Sequence, residues 1–141
     1  MRIQRIPLQQ HGDHRGMLVA LEQERNVPFQ IRRVYYLYAN KREVRRGQHA
    51  HRNLLQLAVA VRGSMTFLLD DGNGPMEVTL DHPSQGLILG RMIWREMYNF
   101  SDDCVLMVLA DQFYEPDDYI TDYEMFLQEV RNPSHMKETS A

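Results

Sequence analysis

Apolar and β-branched residues fall in short runs along the chain, at 17–21, 31–38, 54–61, 64–69, 76–80, 85–89, 93–99 and 105–110. Runs of this length read as strands when turn residues bound them. The boundaries are present: Asn26-Val27-Pro28, Arg62-Gly63, Asp70-Asp71-Gly72-Asn73-Gly74, His82-Pro83 and Ser101-Asp102-Asp103. Asp71-Gly72 tolerates the positive φ of a tight turn and predicts a hairpin between the runs on either side. Many short strands at even spacing predict a sandwich or barrel. One helix is expected late in the chain. Glu115-Pro116-Asp117-Asp118 reads as its start, with Pro in the first turn and acids at the positive dipole end. Tyr119, Ile120, Tyr123, Phe126, Leu127 and Val130 then recur at helical spacing, which predicts packing against the barrel. Asn132-Pro133 ends it, so a single domain is expected over residues 1–131 and a flexible tail over 132–141.

Bulk properties narrow the function classes. At 141 residues, 43% hydrophobic and 25% charged, the chain is an ordinary globular domain large enough to bury a core. No apolar run approaches the ~20 residues of a membrane span, and residues 1–5 lack the apolar stretch of a secretory signal. Cys104 has no partner for an internal disulfide, so a cytoplasmic location is expected. A net charge of −3 argues against a nucleic-acid binder. The charge is segregated, however. Arg32, Arg33, Lys41, Arg42, Arg45, Arg46 and Arg52 cluster against the single acid Glu43, while residues 96–130 contain no Lys or Arg. That pattern fits either a solvated face or a local anion site.

The chemistry concentrates in Arg46-Gly47-Gln48-His49-Ala50-His51, followed by Gln56 and Gly63. On a strand, His49 and His51 project from one face. Two partly buried histidines with satisfied hydrogen bonds would look the same, so the pair alone is a weak signal. A Gly, a His-x-His, a later polar residue and a further Gly together form the first motif of the cupins. These are jelly-roll barrels, also called double-stranded β-helices. Metal cupins usually place Glu where Gln56 stands, and a third His where Arg95 stands within Gly86 … Gly90 … Arg95-Glu96-Met97-Tyr98-Asn99. Gln brings no negative charge and Arg cannot give up its proton to ligate. The expectation is a mostly β cupin with a C-terminal helix, no metal and no organic cofactor. Its histidines would then be free to move protons near neutral pH. Arg95, Arg33 or Tyr35 would stabilise an enolate-type oxyanion, although a strand Tyr more commonly packs. Arg33 and Arg46 suit a pyrophosphate through two-pronged hydrogen bonds. Trp94 would stack on a base or sugar, against the common alternative of a core Trp.

Several blocks together resemble the TDP-4-keto-6-deoxyglucose 3,4-ketoisomerases: Val27-Pro28-Phe29, Arg33-Val34-Tyr35-Tyr36, Arg46 through His51, and Leu69-Asp70-Asp71-Gly72-Asn73. Gly86-Leu87, Trp94-Arg95-Glu96-Met97, Cys104 through Ala110 and Asp118-Tyr119-Ile120 extend the likeness over roughly residues 3 to 130. The resemblance implies a homodimeric, metal-free isomerase that moves a ketone from C4 to C3 of a TDP-linked deoxysugar through an enediol. It implies His49 as base and His51 as its partner, helping to return the proton at C4; Tyr35 and Arg95 join the catalytic set on their own chemistry. Arg15, Arg33, Arg46, Gln56 and Trp94 would contact substrate. Within the family, Arg at position 15 with His at 95 accompanies galacto-configured product, and Tyr with Arg accompanies gluco. Arg15 and Arg95 here take one residue from each pattern. Three alternatives stand beside this reading. They are a sugar-nucleotide 3,5-epimerase using an Asp-supported His and a Tyr acid, a non-catalytic sugar-binding cupin, and a metal-dependent cupin enzyme.

Overall fold

The computed structural model describes residues 1–132; the expected tail lies outside them from residue 133 onward. Two antiparallel sheets of five strands form the body. The first runs in the order β1 (Arg5–Pro7), β9 (Gln85–Leu89), β6 (Gln56–Arg62), β11 (Val105–Ala110) and β4 (Arg33–Leu37). The second runs β12 (Tyr119–Ile120), β5 (Arg46–His51), β10 (Trp94–Tyr98), β7 (Met65–Asp70) and β8 (Pro75–Leu80). A separate hairpin joins β2 (Gln10–Asp13) to β3 (Gly16–Val19), and one helix, α1 (Tyr123–Arg131), follows β12. From β4 onward the chain passes back and forth between the sheets, interrupted by the β7–β8 hairpin. This is the jelly-roll cupin architecture. The Asp70-Asp71-Gly72 turn closes that hairpin as expected, with Asp70 opposite Pro75 and positive φ at Gly72 and Gly74.

Period-2 alternation sorts the side chains into three apolar layers. Ala58 and Ala60 of β6 point between the sheets with Leu37, Phe67, Leu69, Leu87, Leu106 and Val108. Their neighbours Leu57 and Val59 point outward and pack with Leu8, Val27, Phe29 and Leu109 of a second cluster. This explains why β6 reads as one unbroken apolar run: both of its faces are covered. A third cluster, Ala50, Trp94, Ile120 and Phe126, lies where α1 covers the second sheet. No helix among the described residues is long and apolar enough to cross a membrane.

The late helix begins later than the sequence pattern predicts. Residues Pro116–Asp118 form a 3-10 turn capped by Glu115, whose side chain accepts from the Asp117 N–H at 3.3 Å. Tyr119 and Ile120 then pair with His51 and Ala50 as β12. The helix starts at Tyr123, with the Asp122 side chain capping the Met125 N–H at 3.1 Å. Tyr119 and Ile120 fit helical spacing by coincidence; their backbone groups are satisfied by a ladder with a strand distant in sequence. Strands β1 and β2, short and largely exposed, carry too little apolar pattern to be foreseen.

Candidate active site

Three strands bring the expected polar residues to one end of the barrel interior. In β4, Tyr35 shares a face with Arg33 and Leu37, while Val34 and Tyr36 point to solvent. In β10, Arg95 and Met97 point inward and Trp94 outward. In β5, His51 is almost fully buried and His49 partly so. The β5–β10 register skips a residue: Arg95 pairs with His49, but Glu96 pairs with Gly47. Gln48 is therefore the extra residue of a bulge, with φ of 83° at Gly47 and 58° at Gln48. A Cβ on Gly47 would stand 3.0 Å from the Arg95 carbonyl oxygen, so the bulge needs glycine for space as well as for conformation. The bulge re-aims the strand just before the two histidines, whose rings meet edge to face with centroids 4.8 Å apart.

A polar chain runs across the interior beside them. Arg95 Nη1 donates to Gln56 Oε1 at 2.5 Å, and Gln56 Nε2 donates to the Tyr35 hydroxyl at 2.8 Å. The direction of this chain is dictated by its first member. A guanidinium can only donate, so the Gln56 oxygen must face Arg95 and its nitrogen must face Tyr35. The Tyr35 oxygen then serves as acceptor and its own proton remains available for another partner. Arg95 Nη2 donates to the Ile93 carbonyl at 3.0 Å, while Nε is buried without a hydrogen-bond partner. Burial lowers Arg95 to about 10, still a cation at neutral pH. Burial also raises the Tyr35 phenol, which stays protonated.

The histidines are held neutral. Burial, reinforced by Arg95 and opposed by a backbone hydrogen bond at Gly47, lowers His49 to about 4. Burial, then Arg95, His49 and Arg33, push His51 down to about 2. Two neutral imidazoles beside a fixed cation are poised to accept protons rather than to carry them at rest. The same set does not fit a divalent cation, since an amide and a guanidinium stand beside the histidines where anionic or imidazole ligands are needed. Among the described residues, no group of three or more His, Cys, Asp or Glu side chains is placed to hold a metal ion.

Two cavities open onto this centre. One, of about 490 Å³, is lined by Arg33, Tyr35, Arg46, His49, Met97 and Tyr119, among others. The other, of about 360 Å³, is lined by Arg33, His51, Arg52, Tyr114, Asp118 and Tyr119, among others. Arg33 reaches both, lies over the rings of Tyr35 and Tyr114 at 5.4 and 5.8 Å, and has a buried Nε without a hydrogen-bond partner. Arg46 is exposed at the edge, its Nη1 bonded to Asn40 at 3.2 Å.

Three of the expected substrate contacts lie outside the lining of both cavities. Trp94 is 5% exposed on the outer face of β10, within 5.2 Å of the Tyr123 ring and 5.9 Å of the Phe126 ring. Strand parity sends it away from the histidines and onto α1. Gln56 lines neither cavity; its amide is taken up between Arg95 and Tyr35. Arg15 sits at the tip of the β2–β3 hairpin, forked onto Asp13 with a closest contact of 2.7 Å, and lines neither cavity. Two residues at the centre escape sequence reasoning. Tyr119 packs against both histidine rings, at 4.9 Å from His49 and 4.3 Å from His51. Asp118 Oδ2 lies 3.2 Å from His51 Nδ1. Both stand in a block that carries the family likeness, but the Pro-acid run around them reads as a helix start and gives neither residue a role.

Comparison with known proteins agrees with this geometry. The family model described as FdtA, WxcM-like, C-terminal matches residues 1–131. The chain is 48% identical over 126 residues to the TDP-4-oxo-6-deoxy-alpha-D-glucose-3,4-oxoisomerase of Aneurinibacillus thermoaerophilus, covering 89% of this chain and 91% of that one. A 3,4-ketoisomerase from Helicobacter canadensis superposes with a TM-score of 0.90 at 40% identity, covering 93% and 98% of the two chains. A histidine-to-asparagine mutant of the 3,4-ketoisomerase QdtA from Thermoanaerobacterium thermosaccharolyticum, solved with TDP-4-keto-6-deoxyglucose, gives 0.90 at 33% identity, covering 92% and 94%. A barrel interior carrying paired histidines and the Arg95–Gln56–Tyr35 chain thus occurs in a protein that belongs to the FdtA, WxcM-like family, alongside 3,4-ketoisomerases of TDP-linked sugars.

Proposed function

We propose that the protein is a sugar-nucleotide 3,4-ketoisomerase that converts TDP-4-keto-6-deoxyglucose to the TDP-3-keto-6-deoxyhexose. The observation that carries this reading is the pair of neutral, touching histidines next to a tyrosine whose proton is left free by the Arg95–Gln56 arrangement. His49 takes the proton from C3, and the electron pair enters a C3–C4 double bond as the C4 oxygen gains a proton from Tyr35. His51 then takes the O3 proton as the C3 carbonyl forms and delivers it to C4, and His49 returns the C3 proton to Tyr35 by way of solvent, so every group ends in its starting state. Oxidation at C3 balances reduction at C4, so the sum consumes no redox cofactor, and the steps as written use no metal. The Arg95 charge favours the enediolate over the ketone, as a preorganised cation at a developing oxyanion does.

Arg33 and Arg46 are the proposed diphosphate contacts, Arg33 with a spare buried donor between the two cavities. The proposed assembly is a cytoplasmic homodimer. β4 is an edge strand with Val34 and Tyr36 exposed and Tyr38 exposed just beyond it, and the detached hairpin exposes Met17 and Leu18. Uncovered apolar edges of this kind favour pairing with a second copy, and light scattering at twice the chain mass is the expected result.

A 3,5-epimerase is the second reading, because an Asp-supported histidine and a nearby tyrosine are what that chemistry would use, and His51 has both in Asp118 and Tyr119. An NMR time course on TDP-4-keto-6-deoxyglucose in deuterated buffer separates the two. Ketoisomerisation gives a 3-keto species with deuterium at C4. Epimerisation leaves the ketone at C4 and puts deuterium at C3 and C5, and that outcome would overturn the proposal.

A further inference from the structure

The segment between β11 and α1 delivers an acid to the histidines, and it is held there independently of them. Asp118 closes the 3-10 turn, and its Oδ1 accepts from the Asn53 backbone N–H at 2.8 Å. Arg52 fastens the residues on either side. Its Nη1 donates to the carbonyls of Asp117 at 2.9 Å and Tyr119 at 3.5 Å, and its Nε and Nη2 form a fork with Glu129 of α1 at 3.0 and 2.7 Å. The Arg52 backbone N–H also donates to the Asp118 carbonyl at 3.1 Å. With the carboxylate fixed by these contacts, its Oδ2 stands 3.2 Å from Nδ1 of His51, a ring only 2% exposed.

Hydrogen-bond chemistry then decides the state of the ring. An ionised carboxylate only accepts, so Nδ1 must carry a hydrogen. A neutral imidazole has one N–H, and Nε2 is left with the lone pair. Burial and the neighbouring cations keep His51 neutral, so this single tautomer is its resting form. We infer that Asp118 is a positioning residue that locks His51 with its proton on Nδ1, leaving Nε2 as the atom that takes the O3 proton of the substrate and delivers it to C4. The inference rests on the ketoisomerase reading. When Nε2 gains the proton, the imidazolium stands against the Asp118 carboxylate; when C4 takes it, the ring is neutral again and no net proton is retained.

Asp118→Asn is the informative variant. The Asn oxygen can still accept from the Asn53 N–H, while its amide NH₂ turns a donor toward Nδ1. The ring must then accept there and move its hydrogen to Nε2. In the full-length protein labelled with ¹⁵N-histidine, the expected wild-type spectrum shows His51 protonated at Nδ1 and bare at Nε2, and Asp118→Asn reverses the assignment. With TDP-4-keto-6-deoxyglucose, kcat of the variant should fall by about 10²–10⁴-fold, the scale of a wrong-tautomer histidine elsewhere. KM should stay nearly constant, and Asp118→Glu should recover part of the rate. A proton on Nε2 of wild-type His51 overturns the inference, whether or not the variant folds. So does a reversed tautomer with unchanged kcat. The spectra need no substrate. A wild-type protein with the Nδ1–H tautomer but no turnover would therefore sink the ketoisomerase reading while leaving the Asp118 lock standing.

Discussion

On the outer face of β10, Trp94 is packed with Tyr123 and Phe126 and donates its indole N–H to Glu96 at 2.9 Å. On the inner face, one residue later, Arg95 is buried beside two histidines and spends its hydrogen bonds on Gln56 and on the Ile93 carbonyl. The outer side chain buries apolar area and holds α1, and α1 in turn receives the Arg52 clamp through Glu129. The inner side chain buries a charge, which costs stability unless it is well paired. Arg95 Nε has no partner at all. Adjacent residues of one strand therefore divide the work: one stabilises the architecture, and the other is retained at a cost that makes sense as chemistry.

This contrast makes separable predictions. Trp94→Ala has the largest expected effect, a loss of about 3–5 kcal/mol of stability from the cavity beneath α1. Urea unfolding measures it, and KM of the folded remainder should be unchanged. A variant of full stability but raised KM would return Trp94 to the substrate. Arg95→Met should do the reverse. Its kcat should fall by about 10²–10³-fold as an oxyanion-stabilising charge is lost, with melting held or raised because a buried charge has been replaced by apolar volume. A collapse in stability at constant kcat would break the comparison.

The smallest effect is a matter of pH. Burial lowers His49 to about 4, so it stays neutral and competent well below the ordinary histidine value of 6.5. The acid limb of kcat/KM, which reports the free enzyme, should therefore lie near 4 rather than near 6.5. Stability should follow the same groups. Between pH 6.5 and about 4 the unfolded histidines bind protons that the folded ones refuse. Their contribution is fully present above 6.5 and is lost as pH falls. An acid limb at 6.5, or stability rising between pH 6.5 and 5, contradicts the burial of these rings.

How much of this was legible in the sequence depends on the range of the contacts involved. Strand parity groups Arg33 with Tyr35, His49 with His51, and Arg95 with Met97, and the packing of Tyr35 and Met97 against the core marks which faces are inner. The same rule, applied to Trp94, assigns it outward once Arg95 is inward. Parity thus favours the core alternative for Trp94 over stacking. The segment 115–122 was opaque for another reason. Its conformation is set by Arg52 and by pairing with β5, more than 60 residues away in sequence. Local pattern there reports only Pro and acids, which suit a 3-10 turn as well as an α-helix start. The roles of Gln56 and Asp118 follow from which donor faces which acceptor. Spacing carries no information of that kind.

The central claim is that His49 moves a carbon-bound proton, and His49→Asn tests it most directly. With TDP-4-keto-6-deoxyglucose in deuterated buffer, the account predicts that formation of the 3-keto species and deuterium uptake at C4 slow by at least about 10²–10⁴-fold. TDP affinity, measured by calorimetry on the same sample, should be nearly unchanged. Deuterium uptake at the wild-type rate, or a loss of TDP binding that matches the loss of activity, would contradict it.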